Sequence, residues 1–153
     1  MPCHARYQAS RRRRWDRDPG LVNRSGVCEE NKKYIETPEI NQFLEQTVLP
    51  ILSKKLGDPE GLHLTAAHVH IGSDGLYPHD HLPHHYATVL YLMDAEGEIK
   101  LHFDSIIGVA PKEGRLLIMD ASVVHSVEPS SGLRVALVSN YATTTLQGIS
   151  EAV

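Results

Sequence analysis

Gly114-Arg115-Leu116-Leu117-Ile118-Met119-Asp120-Ala121-Ser122-Val123-Val124-His125-Ser126-Val127-Glu128-Pro129 reads as an apolar strand, a turn of small residues, and a second short strand opening on a single histidine. The same rhythm continues on both sides. Short extended runs fall at 62–71, 76–81, 85–93, 98–103, 114–119, 123–128 and 133–142. Gly72-Ser73-Asp74-Gly75, Asp94-Ala95-Glu96-Gly97, Pro111-Lys112-Glu113-Gly114 and Pro129-Ser130-Ser131-Gly132 punctuate them. No long helical pattern interrupts the series, so the expected fold is all-β, a sandwich or closed barrel. The loops 72–78, 82–86 and 104–112 are expected to form most of its entrance.

Upstream the pattern changes. Thr37-Pro38-Glu39 offers an N-cap, a first-turn proline and an early acid, and Ile40, Phe43, Leu44, Val48, Ile51 and Leu52 follow at helical spacing. One amphipathic helix is expected to run to about Lys55 and pack outside the β core. Pro50 predicts a kink or a break within it, and Gly57 with Asp58-Pro59 ends it.

The whole chain has 153 residues, 41% hydrophobic and 22% charged, which suits one soluble domain with a modest core. No apolar stretch approaches the roughly eighteen residues of a membrane span, and the start lacks the charged-then-apolar order of a secretory signal. Charge is unevenly divided. Residues 1–26 hold seven arginines against Asp16 and Asp18, a net of +5, so the formal −4 of the chain leaves −9 for the remainder. The basic arm has the arginine-rich, acid-poor character of a transit peptide, but no aromatic or helical pattern organises it, and a disordered leader is the simpler expectation. An acidic body argues against nucleic acid as the ligand of the folded domain. Cys3 and Cys28 lie outside the expected core, which excludes a disulfide framework and a cysteine-built zinc site, and a reduced, cytoplasmic setting follows.

Histidine is the unusual component. Of ten, seven (His63, His68, His70, His79, His81, His84 and His85) fall between positions 63 and 85. In Tyr77-Pro78-His79-Asp80-His81 two of them stand two residues apart, so on a strand both imidazoles share a face while Asp80 points away. His125, from a later strand, supplies a third nitrogen, and three such ligands make a facial metal site with positions open for substrate or oxygen. Alone, a His-x-His pair is as readily a solvated polar face. His84 and His85 follow Pro83 and are expected at the rim. His68 and His70 share one strand face and either line the pocket or face solvent, while His63 and His102 read as ordinary strand histidines.

Nine residues after His125, Arg134 stands among core-forming residues in Gly132-Leu133-Arg134-Val135-Ala136-Leu137-Val138-Ser139-Asn140-Tyr141. A buried guanidinium needs an anionic partner. An internal acid such as Asp104 or Asp120 would serve, and so would the carboxylate of a bound small molecule.

From about His63 to Tyr141, roughly half the chain, the order resembles the iron(II)- and 2-oxoglutarate-dependent oxygenases, whose fold is a double-stranded β-helix, or jelly roll. The glycine, apolar strand, distal histidine and arginine at Gly114, 116–119, His125 and Arg134 carry the likeness, and Ala87-Thr88-Val89-Leu90-Tyr91-Leu92 is similar to the strand after the first ligands in the prolyl-hydroxylase-like branch. Most of the family has His-x-Asp or His-x-Glu where this chain has His79-Asp80-His81. One branch of 2-oxoglutarate oxygenases reads His-x-His there and ends its arginine strand with an asparagine, as Asn140 does here.

The resemblance implies a dioxygenase that couples oxidative decarboxylation of 2-oxoglutarate to hydroxylation of a substrate. It implies Fe(II) on His79, His81 and His125, no catalytic side chain beyond these ligands, and 2-oxoglutarate held by Arg134 with a hydrogen bond from Tyr91. The fold it implies is an all-β jelly roll with one N-terminal helix outside, spanning 36–146, after a basic leader at 1–35 and before a tail at 147–153. Its substrate is left open, with a peptide or a small polar molecule as the classes expected. Cupins resemble part of the same pattern: a small barrel, a His-x-His pair, and a later histidine after a glycine-led strand. Their acid ligand would fall on His84, His85 or Tyr86, and they do not require Arg134. A cupin-like metal protein that does not use 2-oxoglutarate is therefore the alternative.

Overall fold

Thr37 opens the first helix as an N-cap, its hydroxyl accepting from the Ile40 N–H at 3.3 Å. A computed structural model of the chain describes residues 34, 35 and 37–144. Helix α1 (Pro38–Phe43) passes into a wider π-helical turn, Leu44–Val48, and continues as α2 (Leu49–Lys55). The expected break at Pro50 therefore takes the form of an added residue in the preceding turn. There the Leu49 N–H reaches back to the Leu44 carbonyl, which widens the turn where proline has no N–H to give and its ring would crowd the carbonyl four residues back. Leu44, Val48 and Leu52 make the buried stripe, whereas Phe43 and Ile51, expected on the same face, are turned outward and are 42% and 45% exposed. Gly57, at φ +78°, ends the helical run.

Among the described residues nine strands follow or flank it: β1 (Tyr34–Ile35), β2 (His63–Gly72), β3 (Leu76–His79), β4 (Tyr86–Tyr91), β5 (Ile99–His102), β6 (Ile106–Val109), β7 (Leu116–Asp120), β8 (His125–Val127) and β9 (Arg134–Ala142). They form two antiparallel sheets, one in the order β1-β2-β9-β4-β7 and one in the order β3-β8-β5-β6. This is the jelly roll that the sequence led us to expect, with the helices outside it. Seven strands match the extended runs read from the sequence. The β6 strand was expected as part of the loop 104–112, but it pairs with β5 across the Phe103–Ser105 turn. Its short apolar run carried no alternation to mark it. Residues 34–35, the last two of the expected leader, pair with β2. Residues 1–33, the tail at 147–153, and both cysteines lie outside the described residues.

Alternation divides the large sheet into two faces. Inward, Ala87, Val89, Tyr91, Met119 and Ala136 pack on Ile99, Leu101 and Val127 of the small sheet. Outward, Ala67, Leu137 and Tyr141 pack under Leu44, Val48 and Leu52 of the helices. On β9 this places Arg134, Ala136, Val138 and Asn140 inside the roll. Their β2 partners Gly72, His70, His68 and Ala66 share that face. Among the described residues no helix is long and apolar enough to cross a membrane.

Candidate metal centre

Three strands or strand ends converge at one mouth of the roll. β3 finishes at His79, which pairs directly with His125 at the start of β8. The chain then turns so that the His81 N–H donates to the Ala121 carbonyl at 2.8 Å, while Asp80 points outward and its Oδ1 accepts from the Leu82 N–H at 3.0 Å. The ligand-type nitrogens of His79, His81 and His125 all lie within 4.8 Å of one another.

Main-chain carbonyls aim two of these rings. The His79 Nδ1–H donates to the Tyr77 carbonyl at 2.5 Å, and the His125 Nδ1–H donates to the Val123 carbonyl at 2.9 Å. A carbonyl can only accept, so in both neutral rings the proton sits on Nδ1 and Nε2 presents a lone pair. Nε2 of His125 faces Nε2 of His81 at 3.1 Å, with the two rings parallel to within 2°. Burial holds His79 below the ordinary imidazole value and His125 well below it, and pushes His81 down to about 3. Repulsion from His79 adds to the shift of His81, and the neighbouring Asn140 side chain opposes it. The three rings are thus neutral at ordinary pH, as ligands must be.

This donor set fits a divalent ion. Two nitrogens at about 2.1 Å from a metal and at right angles lie about 3.0 Å apart, close to the 3.1 Å between His81 and His125. Imidazole nitrogens suit iron, zinc, nickel or copper.

Arg134, at the start of β9, is only 2% exposed. Its Nη1 donates to the Glu128 carbonyl at 3.1 Å and to the Gly97 carbonyl at 3.4 Å, and its Nη2 donates to the Asp74 carbonyl at 2.8 Å. Gly97 makes this approach possible, since a Cβ there would stand 2.6 Å from Nη1 and 2.6 Å from the Glu128 carbonyl. Of the acids expected to pair with Arg134, Asp120 instead accepts from the Ser122 N–H and hydroxyl at 2.9 and 2.6 Å, and Asp104 is exposed in the β5–β6 turn. Tyr91, buried on the same inner face, has its phenol pushed up to about 12 by desolvation, against the opposing charges of Arg134 and Arg115. It remains a neutral O–H.

The structure also decides what the sequence left open at His68 and His70. Both face the interior along β2, and burial lowers both to about 4, with the Arg134 charge adding to the shift of His70. His84 and His85, expected at the rim, are half-buried. Nδ1 of His84 shares a hydrogen bond with Thr65 at 2.7 Å, and Nδ1 of His85 accepts from the Thr143 N–H at 2.8 Å. Neither joins the trio, so the acid position of a cupin has no counterpart in it. His63 is exposed, and His102 bonds Ser126 beside His125 at 2.8 Å. Asn140 went unnoticed as a site residue. From β9, 7% exposed, its side chain acts on His81 as a hydrogen-bonding group, with its Oδ1 buried and making no hydrogen bond of good geometry.

No family model and no curated protein matches the chain. Solved structures do. A prolyl hydroxylase from Trichoplax adhaerens, in complex with a peptide fragment of the hypoxia inducible factor oxygen degradation domain, superposes with a TM-score of 0.62 at 17% identity, over 97% of this chain and 81% of that one. A Pseudomonas putida prolyl-4-hydroxylase gives 0.56 at 16% identity, over 94% and 88%. A viral collagen prolyl hydroxylase from Paramecium bursaria Chlorella virus 1, solved with 2-oxoglutarate, gives 0.56 at 14% identity, over 73% and 78%. At these identities the likeness is one of fold: the chain has the double-stranded β-helix on which these oxygenases are built.

Proposed function

We propose that this chain is an iron(II)- and 2-oxoglutarate-dependent dioxygenase. The observation that carries the reading is a trio of neutral histidines, at least two with Nε2 lone pairs turned toward a common point, at the mouth of a jelly roll whose interior also holds Arg134 and Tyr91. The domain at 36–146 would be the catalytic unit, flanked by 1–35 and 147–153.

In this reading His79, His81 and His125 hold Fe(II), which with 2-oxoglutarate and oxygen supplies the oxidation that hydroxylates a substrate. Arg134 binds the far carboxylate of 2-oxoglutarate. Its carbonyl anchors hold the guanidinium plane in one orientation, and burial strengthens its attraction for an anion. Tyr91, kept protonated, donates to the same carboxylate. Val89, Leu101, Met119 and Val127, packed in the core between the two sheets, would help to keep water from the site. The fold shared with prolyl hydroxylases, one solved with a peptide, favours a peptide or a small polar molecule as substrate. With two cysteines and no expected disulfide framework, we take the enzyme to act in the cytoplasm.

The test is an anaerobic titration with Fe(II) and then 2-oxoglutarate, followed by the visible metal-to-ligand charge-transfer band. The band should appear, and Arg134→Lys should weaken 2-oxoglutarate about 10–100-fold by losing charge-assisted hydrogen bonds while leaving Fe(II) affinity unchanged. Fe(II) binding without any effect of 2-oxoglutarate would mark a cupin-like metal protein instead. No metal binding would defeat both readings.

A further inference from the structure

The three histidines are not supported alike. A histidine that ligates a metal through one nitrogen almost always gives its other N–H to an acceptor, which fixes the tautomer and makes the ligand more basic. His79 and His125 each do so through the carbonyl two residues earlier, Tyr77 and Val123. For His81 no such carbonyl bond forms among the described residues. Its Nε2 instead meets Nε2 of His125 at 3.1 Å. Because the proton of neutral His125 sits on Nδ1, the donor in that contact is the Nε2–H of His81.

An ion bound by both rings needs a lone pair on each Nε2. The His81 proton then has to move to Nδ1 and requires a new acceptor. The Asn140 side chain is close enough to act on this ring as a hydrogen-bonding group, and its Oδ1 is buried with no hydrogen bond of good geometry. A buried, unpaired carbonyl oxygen costs roughly 1–3 kcal/mol, and most such atoms in native proteins have a reason to be there. Here each lacks what the other offers. The strand neighbours of Asn140 on the inner face are Ala66 and Ala87, so no large side chain beside it blocks the carboxamide from turning.

We propose that Asn140 is the positioning residue of the metal centre: its Oδ1 accepts the Nδ1–H of His81 once Nε2 of His81 is committed to a metal ion. The proposal rests on reading the trio as a metal centre. It adds that His81 changes tautomer on metal binding while His79 and His125 do not, and that the third ligand is held from β9 and not by its own strand.

The experiment measures Co(II) affinity by the visible d–d bands, together with the thermal midpoint of each variant in chelator. Asn140→Ala should bind Co(II) about 10–100-fold more weakly, the usual effect of losing such a partner. Its midpoint in chelator should fall little, because the lost oxygen makes no hydrogen bond of good geometry there. Asn140→Asp supplies a stronger acceptor of the same shape and should bind Co(II) at least as tightly as the wild type. In the Zn(II)-bound wild type, long-range 1H–15N NMR should show His81 protonated on Nδ1, and in chelator on Nε2. Wild-type affinity in Asn140→Ala, or Nε2 protonation of His81 with Zn(II) bound, would overturn the role of Asn140 and leave the metal centre standing. No Co(II) binding by the wild type would overturn both.

Discussion

The Nε2 atoms of His81 and His125 meet at 3.1 Å across parallel rings, although the two residues are 44 positions apart in sequence. Such a contact has room for one proton or one shared ion, but not for two protons. Metal binding should therefore replace a hydrogen bond with two coordinate bonds and stabilise the fold. At an ion concentration 100 times Kd the gain is about 2.7 kcal/mol, readable as a rise in the thermal midpoint. His81→Ala or His125→Ala should abolish that rise. A rise of the same size in either variant would place the ion elsewhere.

Acid should unfold the protein through its interior histidines. Burial lowers His68 and His70 to about 4, against 6.5 in the unfolded chain. Above pH 6.5 both states are neutral and the pair has no effect. Below it the unfolded chain takes up protons that the folded one refuses, so stability falls from about pH 6.5 down to about 4. Each group costs about 1.4 kcal/mol per pH unit in that window. Urea midpoints measured in chelator between pH 7 and 4 should fall at least this steeply, because His79, His81 and His125 are lowered too, and His70→Gln should make the slope shallower. Midpoints that hold steady to pH 4 would refute the assignment.

Two glycines separate backbone strain from site geometry. Gly97 and Gly114 have φ of +80° and +79°, but an added Cβ meets nothing within 4 Å at Gly114 and meets the Arg134 guanidinium at Gly97. Gly114→Ala should cost about 1–2 kcal/mol for the left-handed backbone. Gly97→Ala should cost about 2 kcal/mol more by breaking the carbonyl contacts of Arg134, and it alone should weaken 2-oxoglutarate. Equal midpoints for the two variants would show that the close approach carries no energy.

The helix layer should affect stability without affecting the site. Leu44 is fully buried under the outer face of the large sheet, and Leu44→Ala should cost about 2–5 kcal/mol. Metal affinity should stay within twofold, which a Co(II) titration below the unfolding temperature would check.

Much of this was legible in the sequence. Turn residues bounded seven strands, Thr37-Pro38-Glu39 marked the helix start, and His79, His81 and His125 stood at spacings that a strand face could bring together. What could not be read depends on contacts made across the fold. The side of the sheet that His68 and His70 occupy is set by their register against β9. Arg134 is anchored by carbonyls from three separate loops, and a backbone oxygen leaves no trace in residue identity. Asn140 stood out in the sequence only as a mark of the resemblance, and nothing local said that it lies beside His81. On β6, Ile106-Ile107-Gly108-Val109 is extended because β5 offers it an edge, which no local pattern announces.

The alternation along β9 has one more consequence. Arg134 and Asn140 are an even number of residues apart and share the inner face, while Leu137, Ser139 and Tyr141 belong to the other. The site therefore has a parity. Sliding β9 by a single residue would exile arginine and asparagine together and drive tyrosine and serine into the roll. No slip keeps one and loses the other, whereas a single insertion or deletion between positions 134 and 140 would set arginine and asparagine on opposite faces, and the turn before β9 is tied to the site as well, since its Glu128 carbonyl anchors Arg134.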